Sequence, residues 1–456
     1  MGLVLSEVFE HFSAKLPMPV MAKLVMERTL SPEKVDAWFE ASRERQYTRE
    51  LLFSTVFELM SLVAVKVFET THQAFRADKD AIAVSVTSLY NKINTVDPKM
   101  SRALVREATT ELGKTVRGLK GQRPDLLPGY RTKLLDGNCL EASEHRLEVL
   151  RRTPAGPLPG KSLVVYDPSL AMAIDVFPCE DGHAQERSLL GEVLETVELN
   201  DLWIWDRNFC VRAFMAGIEE RKGRFIGRYH RGLTYTPLDQ ERFVGRTETG
   251  AVYEQAVEVA TGDERPPKKY RLIRVVLKKA TRDGDTEVFI LTNLSKSAAN
   301  AKQVAELYRR RWEIETTFQK LEKYLHSEVN SLGYPKAALF AFCVALVAYN
   351  VLAVVAAALR RVHGDDVITK ISGYYVAGEL SRGHEGVAVA IRPKEWSKLR
   401  KLPESDHINL LLRIAKGVDL SKYRKSYRGP KKPPVARTLY VDQPHVSTAR
   451  LLRDKK

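Results

Sequence analysis

Three acidic side chains stand at positions where a protein could use them for chemistry. Asp136 lies in LLDGN, where a predicted strand runs into an Asp-Gly turn, and Asp206 ends the apolar strand LWIWD. Glu315 lies within residues 307–325, LYRRRWEIETTFQKLEKYL, which lack Gly and Pro and have apolar residues at helical spacing, so we predict one helix. Three converging carboxylates could hold two Mg²⁺ ions, which prefer oxygen ligands and activate a water or a 3′-hydroxyl for phosphodiester cleavage or transfer.

The predicted helix carries a polar line beside an apolar stripe. At about 100° per residue, Tyr308, Arg311 and Glu315 fall within about 60° of one another. The adjacent face carries the apolar residues Leu307, Ile314, Phe318, Leu321 and Leu325. The stripe would anchor the helix to a core, and the polar line would face a cleft. Each acidic residue also has an interpretation without chemistry. Glu315 could lie on a solvated surface helix, Asp136 could be a turn residue, and Asp206 could cap the end of a strand.

The composition favours a folded protein with a polyanionic partner. The chain has 456 residues, 44% of them apolar and 28% charged, which argues against a disordered chain and predicts two to four domains. The formal net charge is +15 and the sequence pI is about 9.5, which suits nucleic acid or an anionic membrane surface. The four cysteines are scattered without zinc-ligand spacing, and the N-terminus lacks the pattern of a signal peptide. We therefore expect a reduced, cytoplasmic compartment.

One segment is long and apolar enough to raise the question of a membrane. Residues 337–359 could span a bilayer by length. However, the segment contains Tyr349 and Asn350, is rich in Ala and Val rather than Leu and Ile, and stands alone. We predict a buried core helix and no membrane partner.

The chain divides into regions of different periodicity. Residues 1–125 are predicted to be all-helical and to bind DNA, and residues 85–94 could be the second helix of a helix-turn-helix. That helix would offer DNA the side chains of Ser85, Thr87, Ser88, Asn91 and Lys92. An ordinary capped helix in a bundle explains the same residues, and for this helix we favour that interpretation.

From residue 126 the pattern changes to strands that alternate with helices. Residues 126–230 predict an α/β layer with a mixed sheet, and residues 231–290 predict a β-rich insertion with a hairpin at Asp283-Gly284-Asp285. The helical pattern resumes over 291–360. Residues 361–456 predict helices around 368–379 and 406–416, and the basic, Pro-rich tail beyond Ser421 is expected to lie on a polyanion or on the body of the protein, with a role in DNA contact or dimerisation.

The motifs resemble a known family. LLDGN, WIWDRNF and the Y-x2-R-x3-E spacing of residues 308–315 resemble the DDE transposases of bacterial insertion sequences, in the subgroup with the Tyr-Arg-Glu-Lys signature. The resemblance covers about 130–360. It implies an α/β RNase H-like catalytic domain with a β-rich insertion, an all-α N-terminal domain and a mostly helical C-terminal region. It also implies Mg²⁺-dependent cleavage of transposon ends, with Mn²⁺ as a substitute, and strand transfer into target DNA.

The same resemblance implies the partners and the roles of individual residues. The partners would be double-stranded DNA and a second copy of the chain, in a cut-and-paste reaction that passes through a DNA hairpin. The catalytic and metal-binding residues would be Asp136, Asp206 and Glu315. The DNA-contacting residues would be Tyr308 and Arg311, which hold transposon-end phosphates, together with Arg207, Asn208 and Lys323.

The sequence departs from the family pattern at one position. The family's lysine falls seven residues after its glutamate, and this chain has Glu322 there. Lys323 follows, about 100° further round the helix, and Gln319 and Lys320 are other polar residues nearby. Either Lys323 substitutes, or end binding differs, or this copy is weakened. Two alternatives therefore stay open: a DNA-binding derivative without chemistry, and an RNase H-like nuclease that cuts without strand transfer.

Overall fold

The N-terminal region is a set of helices. The computed structural model describes residues 5–43, 50–141, 143–260, 266–281, 284–426 and 443–455. In this part of the chain, the helices that precede the first strand are α1 (Glu7–Lys15), α2 (Pro17–Thr29), α3 (Pro32–Ser42), α4 (Phe53–Ala64), α5 (Thr71–Ala77), α6 (Val86–Thr95) and α7 (Pro98–Gly118), with a 3-10 turn at Lys79–Ala81. The candidate recognition helix is α6. The Ser85 hydroxyl caps it by accepting from the Ser88 amide, and its Leu89 and Ile93 are buried.

A mixed sheet forms the centre of the molecule. Its first five strands in chain order are β1 (Arg131–Leu140), β3 (Gly160–Asp167), β4 (Met172–Cys179), β5 (Asp201–Trp205) and β6 (Arg224–Arg228), and a short β2 (Gly156–Leu158) lies outside this sheet. Their spatial order is β4-β3-β1-β5-β6. The β1 strand pairs antiparallel with β3 and parallel with β5, and β5 pairs parallel with β6. Helices α8 (Leu190–Leu194) and α9 (Arg212–Glu220) cover one face, and a second, larger apolar core lies on the other.

The β-rich segment extends this sheet instead of forming one of its own. Its strands are β7 (Thr236–Pro237), β8 (Arg242–Arg246), β9 (Gly250–Val259), β10 (Lys268–Leu277) and β11 (Glu287–Thr292). The β11 strand pairs antiparallel with β6, and β10 and β9 follow outward. The strands β10 and β11 lie on either side of the predicted hairpin turn. Of the predicted hairpin turn between them, Asp283 lies outside the described residues and Gly284 has a φ of 86°.

The predicted Asp-Gly turn is wrong. The β1 strand runs through Asp136 and on to Leu140, and Gly137 pairs with Leu163 of β3. The glycine serves a close approach rather than a turn, because a Cβ atom at this position would lie 2.1 Å from Glu186 Oε1. Asp136 therefore sits inside a strand, where it pairs with Val164 of β3, one residue beyond the last β1 residue that pairs with β5.

The single helix predicted over residues 307–325 is also wrong. The chain forms α10 (Ala301–Arg309) and α11 (Trp312–Tyr324), with a break at Arg310 and Arg311. At the break, amides bond to the carbonyl three residues back, as in Arg311 N to Tyr308 O at 3.1 Å, so the winding tightens locally. A capping box of Asn300 and Gln303 fixes the start of α10.

The apolar segment forms a central core helix. It is α12 (Pro335–His363), which is long and apolar enough to cross a membrane by length and composition, but 89% of its most apolar window is buried inside the protein. Its Asn350 is fully buried and hydrogen bonded. The side-chain oxygen accepts from Ala173 N at 2.9 Å, and the amide donates to Ala173 O and to Thr109 Oγ1, each at 2.8 Å. This residue ties α12 to β4 and α7, as a core polar group must be tied.

The C-terminal region is helical. Its elements are α13 (Asp365–Ile368), α14 (Gly373–Ala390), α15 (Pro393–Arg400), α16 (Glu404–Lys416), a 3-10 helix at Leu420–Tyr423, β12 (His445–Ser447) and α17 (Thr448–Asp454). The helix expected around 406–416 is α16, and the one expected around 368–379 starts later, as α14. The β12 strand pairs with β2. Residues 427–442 of the predicted basic tail lie outside the described residues.

Candidate active site

Two parallel strands and one helix bring the three acidic residues to one place. Leu135 of β1 is the register partner of Trp205 of β5, so Asp136 and Asp206, which follow them, are neighbours at the same edge of the sheet. Glu315 lies in the first turn of α11, which packs against β1. Strand β5 and its parallel pairing with β1 end at this point, which is where open α/β sheets place their sites.

Arg311 joins two of the three carboxylates. Its Nη1 atom lies 3.1 Å from Asp136 Oδ2 and 2.6 Å from Glu315 Oε1. Since both oxygens contact the same nitrogen, they cannot be more than about 5.7 Å apart. Only 7% of the Arg311 side chain is exposed, and its Nε has no hydrogen-bond partner among the described residues. The guanidinium is therefore a buried counter-charge between Asp136 and Glu315.

Asp206 is held from the other side. Tyr308 donates from its hydroxyl to Asp206 Oδ1 at 3.1 Å, and Arg228 Nη1 lies 3.8 Å from the same oxygen. The other end of the Arg228 guanidinium pairs with Asp285 Oδ2 at 2.5 Å. Arg228 ends strand β6, and no sequence motif points to it, because only the strand order places it beside Asp206.

The electrostatics of Asp136 reflect this crowding. Burial raises the pKa of its carboxyl to about 7; Arg311 opposes the rise, and the charges of Glu315 and Asp206 add to it. Burial likewise raises the pKa of the Tyr308 phenol, so this residue stays a neutral hydrogen-bond donor at neutral pH. A cluster in which one carboxyl resists ionisation is a cluster that additional positive charge would stabilise.

The donor set suits a hard divalent cation, with one condition. Among the described residues, no group of three or more His, Cys, Asp or Glu side chains is already arranged around a common metal position. Asp136, Asp206 and Glu315 would supply the carboxylate oxygens that Mg²⁺ prefers. Because Arg311 Nη1 contacts both Asp136 and Glu315, an ion bridging those two oxygens would displace it. Arg311 would then be free to meet an anion beside the carboxylates.

Glu186 and Arg187 both hydrogen bond to Asn208, and we call these three residues the clamp. The clamp holds the loop that carries Asp206. Glu186 Oε2 accepts from Asn208 Nδ2 at 2.5 Å, and Arg187 Nε donates to Asn208 O at 2.6 Å. The other oxygen of Glu186 occupies the space over Gly137 in which a Cβ would lie. The clamp thus connects residues next to Asp136 with residues next to Asp206.

This arrangement predicts the effect of Gly137→Ala. The added methyl would push the Glu186 carboxylate away and break its hydrogen bond to Asn208, while costing little stability because a flexible side-chain end is what must move. We expect roughly tenfold slower metal-dependent DNA cleavage, the equivalent of one hydrogen bond to a charged group. Glu186→Ala should slow cleavage to the same extent. The double variant should be no slower than either single one, whereas additive effects would show that the two residues do not act through one contact.

The residues predicted to contact DNA lie in different surroundings. Lys92 donates from Nζ to Leu51 O at 2.6 Å and lies 5.1 Å from the centre of the Phe39 ring, so its side chain takes part in packing within the helical region. Arg207 is exposed directly after Asp206, and Asn208 is exposed within the clamp. Tyr308 and Arg311 contact the carboxylates as described.

Lys323 and Glu322 face different cavities. Lys323 shares a face of α11 with Thr316, Gln319 and Lys320, which line one cleft. Glu322 lines another cavity together with Lys66, Glu141, His326 and Glu328. The described contacts of the three carboxylates do not include Lys323. The contact of Lys323 with DNA, in the role of the family's signature lysine, stays a prediction.

The part of the chain that carries most of these residues is similar to a known protein family. Residues 161–351 match the family model of the transposase DDE domain. The matched segment contains Asp206, Tyr308, Arg311 and Glu315, whereas Asp136 on β1 precedes it. A DDE domain implies an RNase H-like fold, and the mixed sheet with helices on its faces agrees with that.

Two relatives carry names of the same kind. A protein of Sinorhizobium fredii named "Putative transposase y4zB" is 30% identical over 207 residues, which cover 44% of this chain and 54% of that protein. The "Transposase for insertion sequence element IS421" of Escherichia coli is 22% identical over 242 residues, which cover 46% of this chain and 62% of the relative. The chain thus spans between half and two thirds of the length of these relatives.

An exposed aromatic residue directly follows Arg311. Trp312, the first residue of α11, is 54% exposed, and its ring lies 5.3 Å from the guanidinium carbon of Arg311. No sequence motif marks Trp312 as a candidate site residue. The signal that could have found it is its place directly after Arg311, on a helix whose other large apolar residues are assigned to the core.

Proposed function

We propose that this chain is a DNA transposase of the bacterial insertion-sequence type. It cleaves DNA at the ends of its element and transfers the freed 3′-hydroxyl into target DNA. The DDE domain match and the names of the relatives support an enzyme that acts on DNA. The observation that carries the proposal is the meeting of Asp136, Asp206 and Glu315 at one sheet edge, with Arg311 bound to two of them.

The side chains support a division of labour. Mg²⁺ or Mn²⁺ held by the three carboxylates would supply the activated oxygen nucleophile and stabilise the leaving oxygen. Tyr308 orients the Asp206 carboxylate through its hydroxyl, and Arg228 fixes the same residue from the far side. Arg311, once released from a carboxylate, presents a planar guanidinium that can bind a phosphate through two hydrogen bonds. Trp312 offers an exposed ring to a base near that phosphate.

The finer features are proposed from the family resemblance. Membership of the Tyr-Arg-Glu-Lys subgroup rests on Tyr308, Arg311 and Glu315, three of the four signature residues, and Glu322 stands at the fourth. With this membership we propose a homodimer on double-stranded DNA, a hairpin intermediate and a cytoplasmic location. The net charge of +15 supports the DNA partner.

One assay separates the candidate reactions. The substrate is a duplex made from the DNA that borders the coding sequence of this chain, incubated with Mg²⁺, with Mn²⁺ or with a chelator. We expect metal-dependent cleavage at the element end and joining of the freed end to a target plasmid. Cleavage without joining would identify an RNase H-like nuclease instead. Salt-dependent binding without cleavage under either metal would identify a DNA-binding derivative. A duplex of the same composition in scrambled order is the control.

A further inference from the structure

A cationic cleft runs along α11 beside the face that carries Glu315. It lies between α11, α12 and α14 and has a volume of about 580 Å³. From α11 it is lined by Thr316, Gln319, Lys320 and Lys323, and Thr316 directly follows Glu315. The cleft therefore begins one residue away from the carboxylate cluster. The charged residues of its lining do not belong to that cluster.

The charge in this cleft has one sign. Its lining contains five cationic side chains, Arg123, Lys320, Lys323, Arg360 and Lys425, and no Asp or Glu among the described residues. Two of the five are neutralised, because Arg123 pairs with Glu313 at 3.4 Å and Arg360 pairs with Asp365 at 2.7 Å. The three lysines form no ion pair with a described carboxylate. An occupant must therefore bring negative charge.

Below the lysines the cleft is apolar. Its floor consists of α12 and α14 side chains, namely Leu352, Ala353, Val355, Ala356, Leu359 and Val376. Tyr324 adds a half-buried ring at the α11 side. An occupant that uses both features carries phosphates for the lysines and a flat, apolar surface for the floor.

We propose that this cleft binds an unpaired stretch of the DNA substrate, one or two nucleotides long, next to the cleavage site. The inference rests on the proposed function. A duplex turns its phosphates outward and keeps its bases stacked inside, so it can reach the lysines but not the floor. Unpaired nucleotides can reach both. A volume of about 580 Å³ is in the range of small-molecule sites and is too small for a double helix.

Binding by two DNA forms tests the proposal. Fluorescence anisotropy compares a flush duplex that ends at the element end with the same duplex carrying a three-nucleotide single-stranded extension. We expect the wild-type chain to bind the extended form roughly tenfold more tightly, since stacking and phosphate contacts are added. Lys320→Glu should remove this preference, because it weakens binding of the extended form far more than binding of the flush duplex. The matched control is Lys222→Glu, the same charge change at an exposed residue before β6, which should keep the preference.

A second variant separates the cleft from general electrostatics. Ala356→Phe fills the floor without changing any charge, and a thermal melt checks that it folds. The proposal predicts that it also loses the preference for the extended DNA. If both variants keep the preference, or if Lys320→Glu weakens the two DNA forms equally, the cleft does not bind unpaired DNA. That result leaves the proposed function standing as long as the wild-type chain cleaves and joins end DNA, so the two failures are distinguishable.

Discussion

Replacing Arg311 with Ala should abolish detectable DNA cleavage and destabilise the metal-free protein. The buried guanidinium neutralises both Asp136 and Glu315 through one nitrogen. Without it, two carboxylate oxygens no more than about 5.7 Å apart face each other without a counter-charge. Removing one partner of a buried ion pair costs about 3–5 kcal/mol, and we expect a loss of that order in the free energy of unfolding measured by urea denaturation in a chelator.

Divalent metal should partly reverse this loss of stability. If Mg²⁺ binds between the carboxylates, it supplies the missing counter-charge, so Mg²⁺ should stabilise Arg311→Ala more than it stabilises the wild-type protein. Cleavage should nevertheless stay abolished, because the phosphate contact is lost. The matched control is Arg310→Ala, since Arg310 is the preceding residue, is exposed and pairs only with Glu313 among the described residues. Equal effects of the two substitutions would contradict the account of Arg311.

The residue types and their motif contexts were enough to predict the carboxylate set. Asp206 was expected at the end of an apolar strand, and it directly follows β5. Glu315 was expected beside an apolar stripe, and Ile314 and Leu321 of that stripe are buried. These predictions hold because they depend on local periodicity and burial, which a sequence records directly. That the three acids act together as a metal site stays a prediction.

The two local errors have a common cause. Asp136-Gly137 reads as a turn by residue type, but Gly137 serves the close approach of Glu186, a residue about fifty positions away. The break between α10 and α11 contains no Gly or Pro from which it could have been predicted. There the contacts of Tyr308 with Asp206 and of Arg311 with Asp136 accompany the tighter turn. In both places a tertiary contact overrides the local preference.

The supporting residues could not be found from the sequence. Arg228 and Glu186 lie in segments without a motif. Only the strand order and the packing of the 3-10 helix at Glu186–Leu189 bring them to the site. The same holds for the cleft along α11, whose floor comes from α12 and α14. The apolar and polar faces of each helix can be predicted from the sequence. The packing of the whole chain decides which of these faces contact one another.

Asp206→Ala and Glu315→Ala should each reduce metal-dependent cleavage by at least about a thousandfold. Each removes one carboxylate from the proposed metal site, and the loss of metal-based charge stabilisation is worth several kcal/mol in the transition state. Neither variant should lose affinity for end DNA, because removing negative charge beside phosphates does not weaken their binding. The effect should therefore appear in the rate of the chemical step under single-turnover conditions with saturating protein.

The most direct measurement is that single-turnover rate for Asp206→Ala beside Glu322→Ala. Both variants remove one carboxylate. Glu322 lies on the same helix as Glu315 but lines a cavity to which none of the three proposed metal ligands contributes. We expect cleavage in Mg²⁺ or Mn²⁺ to disappear in Asp206→Ala and to stay within a few fold of the wild-type rate in Glu322→Ala. Intact cleavage in Asp206→Ala, with the wild-type protein active on the same DNA, would show that these carboxylates are not the catalytic centre.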